Sequence, residues 1–352
     1  MQLNFPRRRR ILSVLLALLM TAALALPAAA AQQYNQSVYY MIPVRKGSYY
    51  GYLCYRKSLG TVVERIGLSQ DYSDVKPFGS NGLAPVKRTL SAAYGYMDIN
   101  GKWKLSPKYL QARTFADNGL AAVQDAKTEK WGYINSSGKW VISPKYDQAY
   151  SFSSGLALVL DNWEFYFIDA SGNRKIHLDK TLNYDLQSFS YGLFVVRSSD
   201  GAGFMDTSGK WIVNPDKSPF QRIGTFHSNG SQKVALAEDR DGAWGYIDAN
   251  GKWVIQPSRD LEDAGMFGIN GLAPAKRGSK YGYIDRQYDS RPTSSRFRIA
   301  PKFQQANAFE NCGLAAVQDQ NGKWGIIRSN GSYLVQPAYD AIGSIGTVII
   351  KN

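Results

Sequence analysis

The feature of this sequence that most constrains its fold is a repeated pair of short, strand-like runs joined by a tight turn. The best-formed copy, residues 131–159, contains Trp-Gly-Tyr-Ile, a Ser-Ser-Gly turn, Lys-Trp-Val-Ile, a Pro-led loop and a third apolar run. The centre of the first run recurs in eight copies, separated by 44, 37, 34, 37, 42, 37 and 43 residues. Periods of roughly 20 to 50 residues are typical of solenoids and propellers, so the repeat decides the fold class.

Each part of the repeat has the pattern of β-structure. Around Trp131 and Tyr133, aromatic and β-branched residues alternate with others, as the period of two in a strand requires. Gly132 in that run predicts close approach by a neighbouring backbone or ring. The turns begin with Asp or Asn and end with Gly, as in type I turns that close hairpins. We expect Pro144 to end the second run, because proline donates no hydrogen bond to a ladder.

A phenylalanine precedes the third run in most copies, and we expect these rings to pack between neighbouring units. They are Phe78, Phe115, Phe152, Phe189, Phe226, Phe267 and Phe309. Residues 346–350 add one more third run after the last hairpin, so nine such runs accompany eight hairpins. The surplus run suits either an open array or an overlapping closure.

We therefore predict an all-β fold, a tandem array of about eight three-stranded β-meander repeats with room for a fourth short strand near the Lys-Tyr loop. A propeller-like ring is favoured over an open β-superhelix, because eight units suit a ring.

The N-terminal residues 1–31 have the composition of a secretion signal peptide. Four arginines at 7–10 precede an apolar run at 11–26, and alanines at 28–31 offer a cleavage site. The alternative is an uncleaved membrane anchor, but the apolar run is shorter than the ~18 residues of a spanning helix. We expect residues 32–352 to form the repeat domain of a protein that is secreted or associated with the cell surface.

The chain is basic, with 42 Lys and Arg against 28 Asp and Glu and a net charge of +14. Without the four leader arginines the balance is 38 − 28, or +10. This charge predicts non-specific attraction to anionic polymers rather than a designed site. Beyond the leader no block of five or six like charges appears, so no specific nucleic-acid binding is predicted. Cys54 and Cys312 could form a disulfide only if the array closes, and we expect two free or buried thiols.

The motifs of the best-formed unit stand in a fixed order: Lys-Trp-Gly-Tyr-Ile at 130–134, Ser-Gly-Lys-Trp-Val-Ile at 137–142, Pro-Lys-Tyr-Asp at 144–147, and the segment 152–156. With them the chain resembles the bacterial WG-repeat family over about residues 37–352. The resemblance implies a β-repeat protein, often exported, and it defines no catalytic residue. The residues predicted to be structural in the repeat are Trp131, Gly132, Trp244, Gly245, Trp324 and Gly325.

No catalytic constellation stands out. His177 and His227 are the only histidines, and neither lies near a Ser or Cys nucleophile signature. Acid pairs for glycoside hydrolysis would come from variable loops, where sequence neighbours seldom face each other across the required distance. Those acids are Glu238, Asp239, Asp241, Glu262 and Asp263. Two His and two scattered Cys give no metal-ligand spacing. We expect no enzymatic activity, no cofactor and no metal site.

A second row of tryptophans, each directly after a turn and a Lys, offers candidate ligand-stacking residues. If the row faces solvent, its rings and cations suit sugars or anionic polymers. If it faces the neighbouring unit it is core, the commoner place for repeated large aromatics. The row consists of Trp103, Trp140, Trp211 and Trp253.

These features predict an exported, non-enzymatic repeat protein that binds or scaffolds at the cell surface or outside the cell. Candidate partners are a wall polymer, a glycan or another surface protein, with membrane contact only through an uncleaved leader. The alternatives are a cell-wall glycan hydrolase or its regulatory part, and a purely structural envelope protein. Function is expected where the copies differ, at 162–186, 216–240 and 286–298.

Overall fold

A computed structural model describes residues 36–177, 189–228, 232–259, 261 and 263–351 of the chain. The predicted signal peptide, residues 1–31, lies outside these ranges. Among the described residues, no helix has the length and apolar character to cross a membrane. Residues 39–348 form one compact unit, and the described terminal residues 36–38 and 349–351 are grouped separately.

The described strands form eight antiparallel blades of four strands, and in most blades a short strand comes first. The second strand carries the apolar third run of the repeat, the third strand carries Trp-Gly or its equivalent, and the fourth carries Lys-Trp. The short strand lies near the Lys-Tyr loop, where the repeat left room for it. The prediction of an all-β array of about eight units is therefore confirmed.

The strands of the first four blades follow in chain order. Blade 1 contains β1 (Gln36–Lys46), β2 (Tyr49–Arg56) and β3 (Thr61–Ser69), and blade 2 contains β4 (Tyr72–Val75), β5 (Leu83–Arg88), β6 (Tyr94–Asp98) and β7 (Trp103–Ala112). Blade 3 shares the end of β7 and adds β8 (Ala121–Asp125), β9 (Trp131–Ile134) and β10 (Trp140–Tyr146). Blade 4 contains β11 (Gln148–Ala149), β12 (Ala157–Asp161), β13 (Glu164–Ile168) and β14 (Arg174–His177).

The other four blades repeat this order. Blade 5 contains β15 (Phe189–Ser190), β16 (Leu193–Ser198), β17 (Gly201–Asp206) and β18 (Trp211–Val213), and blade 6 contains β19 (Phe220–Ile223), β20 (His227–Ser228), β21 (Lys233–Asp239), β22 (Trp244–Asp248) and β23 (Trp253–Ser258). Blade 7 contains β24 (Asp263–Ala264), β25 (Ala273–Arg277), β26 (Lys280–Ile284) and β27 (Phe297–Phe303), and blade 8 contains β28 (Gln305–Ala306), β29 (Leu314–Gln318), β30 (Trp324–Arg328) and β31 (Tyr333–Tyr339). The last strands are β32 (Ala341–Ile342) and β33 (Gly346–Lys351), and two 3-10 turns span Pro215–Lys217 and Thr293–Ser295.

The two ends of the array meet in blade 1. Strand β32 pairs with β1, with Val44 opposite Ile342 and Arg45 opposite Ala341, and supplies the first strand that blade 1 lacks. Strand β33 also pairs with β1, so two short segments pair with the same strand. Blade 6 has the same arrangement, because β19 and β20 both pair with β21. The surplus third run is thus an overlapping closure, and the array is a closed ring, a β-propeller.

The hydrophobic cores lie between successive blades. Between blades 3 and 4, Tyr133 packs with Val159 and Ile168, and the Phe152 ring lies 4.8 Å from that of Tyr133. This arrangement confirms that the recurring phenylalanines pack between units. At the closure, Cys312 joins the core between blades 8 and 1, and Cys54 and Cys312 are both buried and free.

The prediction that Pro144 ends the second run is wrong. Strand β10 continues through Pro144 to Tyr146, with an irregular register between Ile142 and Tyr146. At such a bulge the missing N–H of proline costs no ladder hydrogen bond. Six of the described fourth strands have a proline at this position of the repeat, and five of them continue through it. The exception is β18 in blade 5, which ends at Val213, two residues before Pro215.

Candidate functional site

The Trp-Gly pairs lie on the third strand of their blades, where the glycine meets the backbone of the fourth strand. A Cβ at Gly132 would lie 2.5 Å from the carbonyl oxygen of Ile142 and 2.8 Å from the nitrogen of Pro144. The corresponding carbonyl distances are 2.5 Å at Gly245 and 2.7 Å at Gly325. The bulge at the proline therefore occupies the space that a side chain would need.

The tryptophans of these pairs are half-buried and pack against the cores between blades. The guanidinium of Arg113 lies 5.3 Å from the centre of the Trp131 ring, and that of Arg222 lies 4.6 Å from the Trp244 ring. Trp324 packs against the closure core. The rings pack in the cores between blades, whereas each of these cation–π contacts joins two segments of the same blade.

The second tryptophan row does not converge on one site, because its members lie in blades 2, 3, 5 and 6. All four side chains are half-buried. Trp140 meets Tyr109 edge-to-face with ring centres 6.2 Å apart, and Trp253 meets Phe220 at 5.2 Å. Trp211 packs against the core between blades 4 and 5. The Cζ3 atom of Trp103 would lie 2.9 Å from a Cβ on Gly95.

The loops that carry the recurring phenylalanines lead into the second strand of each blade, and we call them the inner loops. They contact one another from blade to blade. Ser80 Oγ lies 3.3 Å from Asp117 Oδ1, and Thr114 Oγ1 donates to the Pro77 carbonyl at 3.0 Å. Ser190 Oγ donates to the Phe226 carbonyl in the next blade. The inner loops thus form a shared surface.

A pocket of about 400 Å³ opens on this surface, where the inner loops of blades 3, 4 and 5 meet. The volume lies in the range of about 300 to 1,000 Å³ that small-molecule sites occupy. Its lining residues are Asp117, Asn118, Phe152, Ser153, Ser154, Gly155, Ser190 and Tyr191.

Two shortened turns lie at this pocket. Leu120 follows Phe115 by five positions, whereas the Leu follows the Phe by only four positions in 152–156 and 189–193. The shorter loops close through two-residue turns in which Ser154 and Tyr191 have φ of 49° and 52°. A left-handed conformation is unusual for a bulky residue such as tyrosine, and Tyr191 as a whole is 44% exposed.

The polar groups of the pocket are held by their own loops. Asn118 Oδ1 accepts from the Leu120 N–H at 3.1 Å, and within the described ranges its amide nitrogen donates no hydrogen bond. The Tyr191 carbonyl accepts from Lys233 Nζ at 2.8 Å. Asp117, Asn118 and Ser154 are exposed to solvent. The pocket therefore offers hydroxyl, amide and carboxylate groups beside one exposed ring.

The pocket lies outside the segments in which the repeats differ most. Within residues 286–298, Tyr288 is only 1% exposed and packs in the core between blades 6 and 7, and Asp289 accepts from the Gln256 N–H at 2.7 Å. That insertion joins two blades. Residues 178–186 lie outside the described part of the chain. The signal for the pocket was the reduced spacing between Phe and Leu in two consecutive repeats.

The histidines and loop acids have other surroundings. Burial lowers the pKa of His227, whereas the His177 side chain lies outside the described residues. Glu238 accepts from Arg222 Nη2 at 2.8 Å, and the carboxylate of Asp239 caps its own turn. Asp263 accepts from the Tyr281 hydroxyl, and Glu262 is not described. Within the described ranges no group of three or more metal-ligating side chains occurs.

Comparison with solved structures concerns the fold alone. The chain is similar to a eukaryotic initiation factor, with 11% identity over 85% of this chain and 83% of that chain and a TM-score of 0.51. AztD from Citrobacter koseri covers 90% of this chain and 98% of its own at 10% identity, with a TM-score of 0.49. The match to BamB from Moraxella catarrhalis covers 74% of this chain and 86% of BamB at 12% identity, with a TM-score of 0.41. No curated protein matches the sequence.

The model of the WG containing repeat matches five segments, residues 94–126, 131–162, 244–281, 293–324 and 324–346. These segments include the Trp-Gly pairs at Trp131, Trp244 and Trp324, whose glycines accommodate the bulged fourth strands. The chain therefore contains the WG repeat in five segments within residues 94–346, and these segments lie in the blades described above.

Proposed function

We propose that this WG-repeat protein is exported and acts, without catalysis, as a binding module at the cell surface or outside the cell. The pocket in the inner loops of blades 3, 4 and 5 is its ligand site. The observation that carries the proposal is this pocket itself, about 400 Å³ in volume and lined by polar loop residues on three neighbouring blades.

The propeller architecture supports a binding role. Repeat folds of this kind present loops on a scaffold of packed blades, and groups on rigid supports lose little freedom when a ligand binds. The inner loops are fixed by contacts across blades, such as the bond from Thr114 Oγ1 to the Pro77 carbonyl. A binding or scaffold module is therefore the general role, and the pocket makes it specific.

Two further observations support the finer parts of the proposal. The composition of residues 1–31 supports export, because a basic segment, an apolar run and small residues follow in order. Asp117 is the single carboxylate among the pocket lining, whereas glycoside hydrolysis by the usual route uses two. This favours binding over hydrolysis.

Binding of residues 32–352 to isolated wall polymers across a salt series tests the proposal. Asn118→Ala should weaken salt-resistant binding, whereas the matched variant Asn270→Ala should not. Asn270 Oδ1 accepts from the Leu272 N–H at 3.2 Å, the same bond that Asn118 makes, but it lies outside the pocket.

Equal binding by both variants, or binding lost entirely at moderate salt, would show that charge alone attracts the polymer. Release of soluble fragments from the polymer would contradict the non-catalytic part. Mass spectrometry of protein recovered from the culture medium and the cell surface tests export, since cleavage after residue 30 or 31 is expected.

A further inference from the structure

We propose that the pocket binds one uncharged or N-acetylated hexopyranose unit of a polysaccharide, with the Tyr191 ring stacked on the sugar. This inference rests on the proposed function and specifies the ligand of the same site. Three features carry it: the placement of Tyr191, the polar groups around it, and the charge of the lining.

The Tyr191 ring is exposed and its backbone is fixed. Its φ of 52° and the following Gly192 at 78° define a tight two-residue turn, in which Ser190 pairs with Leu193. Lys233 Nζ holds the Tyr191 carbonyl from the next blade. An aromatic face presented in this way suits the apolar C–H face of a pyranose, because the ring face carries partial negative charge.

The groups around this ring match sugar hydroxyls. The Asn118 amide nitrogen and the Ser154 hydroxyl have no hydrogen-bond partner within the described ranges, and Asp117 provides an acceptor. Every sugar hydroxyl both donates and accepts, so donors and acceptors beside one aromatic ring satisfy it. An N-acetyl group would find the same partners.

The charge of the lining argues against an anionic ligand. None of the eight lining residues is basic, and Asp117 is the single acidic residue among them. The ammonium of Lys233 is engaged by the Tyr191 carbonyl. The pocket thus differs from the chain as a whole, whose net charge is +14. Phosphate polymers should be attracted to the basic surface but not selected by this pocket.

Titration calorimetry with residues 32–352 tests the inference, using four probes: a neutral hexose disaccharide, an N-acetylhexosamine disaccharide, a uronic acid disaccharide and a short poly(glycerol phosphate). At least one of the first two should bind, and Tyr191→Ala should weaken that binding about tenfold or more, as expected for an aromatic anchor. Tyr191→Phe should retain it within about threefold, because the stacking face remains.

The matched control is Tyr49→Ala, since Tyr49 is 46% exposed and does not line the pocket. It should leave the dissociation constant unchanged. Near-ultraviolet circular dichroism confirms that each variant is folded.

Failure of the inference is distinguishable from failure of the proposed function. If poly(glycerol phosphate) alone binds and Asn118→Ala weakens it, the site is a binding site but its ligand is not a neutral sugar. If a sugar binds equally to Tyr191→Ala, the stacking role is overturned. If no probe and no wall polymer depends on Asn118, the proposed function itself is wrong.

Discussion

The hydroxyl of Tyr133 donates a hydrogen bond of 2.8 Å to the backbone carbonyl of Tyr150, which belongs to the next blade. The same Tyr133 ring packs on Phe152, two residues further along. Equivalent bonds, from 2.6 to 2.8 Å, are made by four other tyrosines at this place in the repeat. They are Tyr52, Tyr96, Tyr246 and Tyr283. One residue of the repeat thus ties each of these blades to its neighbour by a ring and a hydroxyl.

Tyr133→Phe should lower the free energy of unfolding by about 1–2 kcal/mol, because the ring contact remains while the part-buried Tyr150 carbonyl loses its donor. Urea denaturation followed by tryptophan fluorescence measures the change. Tyr49→Phe, which alters an exposed tyrosine, should have no effect. An unchanged midpoint in Tyr133→Phe would mean that water replaces the hydroxyl.

Gly132→Ala should destabilise the protein by roughly 1–3 kcal/mol or prevent folding, because the new methyl group meets backbone atoms that cannot rotate away. Gly224→Ala is the matched control. A Cβ there would meet its nearest atom, the Leu236 carbonyl oxygen, at an ordinary 3.6 Å. Thermal unfolding of both variants gives the comparison, and equal losses would argue against a specific role for the bulge.

Trp140→Ala should lower stability by about 2–4 kcal/mol, because its half-buried ring packs on Tyr109 across the seam between blades 2 and 3. Saccharide binding at the pocket should persist when the variant is folded. The measurements are chemical denaturation and calorimetry on the same samples. Full stability combined with lost binding would instead make the second tryptophan row the ligand site.

Stability should depend on pH through Glu310, a residue of the inner loop of blade 8. Burial raises the pKa of this carboxyl above its ordinary value, against a smaller opposing effect of a hydrogen bond from the Ile345 backbone. A raised folded-state pKa gives stability that is present below the unfolded pKa and lost as pH rises through the folded pKa.

Glu310→Gln should therefore melt at a higher temperature than the original protein at pH 7 and at the same temperature below pH 4. Glu129→Gln, at an exposed turn, is the control and should show no such difference. Melting curves recorded from pH 3 to pH 8 test this, and a lower melting temperature for Glu310→Gln at pH 7 would refute the assigned cause.

Much of the fold could be predicted from local patterns. The alternation around Trp131, the turn that ends at Gly138 and the ring of Phe152 each indicated a strand, a hairpin or a contact between blades, and these features are present. The strand end predicted at Pro144 was wrong, because a proline at a bulge and a proline at a strand end have the same sequence pattern. A glycine on the neighbouring strand does not separate the two cases, because Gly203 faces Pro215 as Gly132 faces Pro144, yet β18 ends at Val213.

The candidate site was harder to predict. The second tryptophan row was a candidate stacking site because large aromatics beside lysines favour ligand stacking. Its members lie in separate blades and pack against neighbouring side chains. The pocket is lined instead by small polar residues such as Asn118 and Ser154, which are ordinary in turns. Only the loss of one residue between Phe and Leu in two successive copies, which contain Ser154 and Tyr191, distinguished the loops of the pocket.

The sequence alone determined the number of units, the order of strands within them and the places of the turns, because strand period and turn chemistry are local properties. The tertiary structure alone decided that the array closes, since Val44 and Ile342 pair only when the accumulated rotation of the blades brings both ends together. The same rotation brings the inner loops of blades 3, 4 and 5 to one pocket. Distances between units depend on that rotation, which no single repeat encodes.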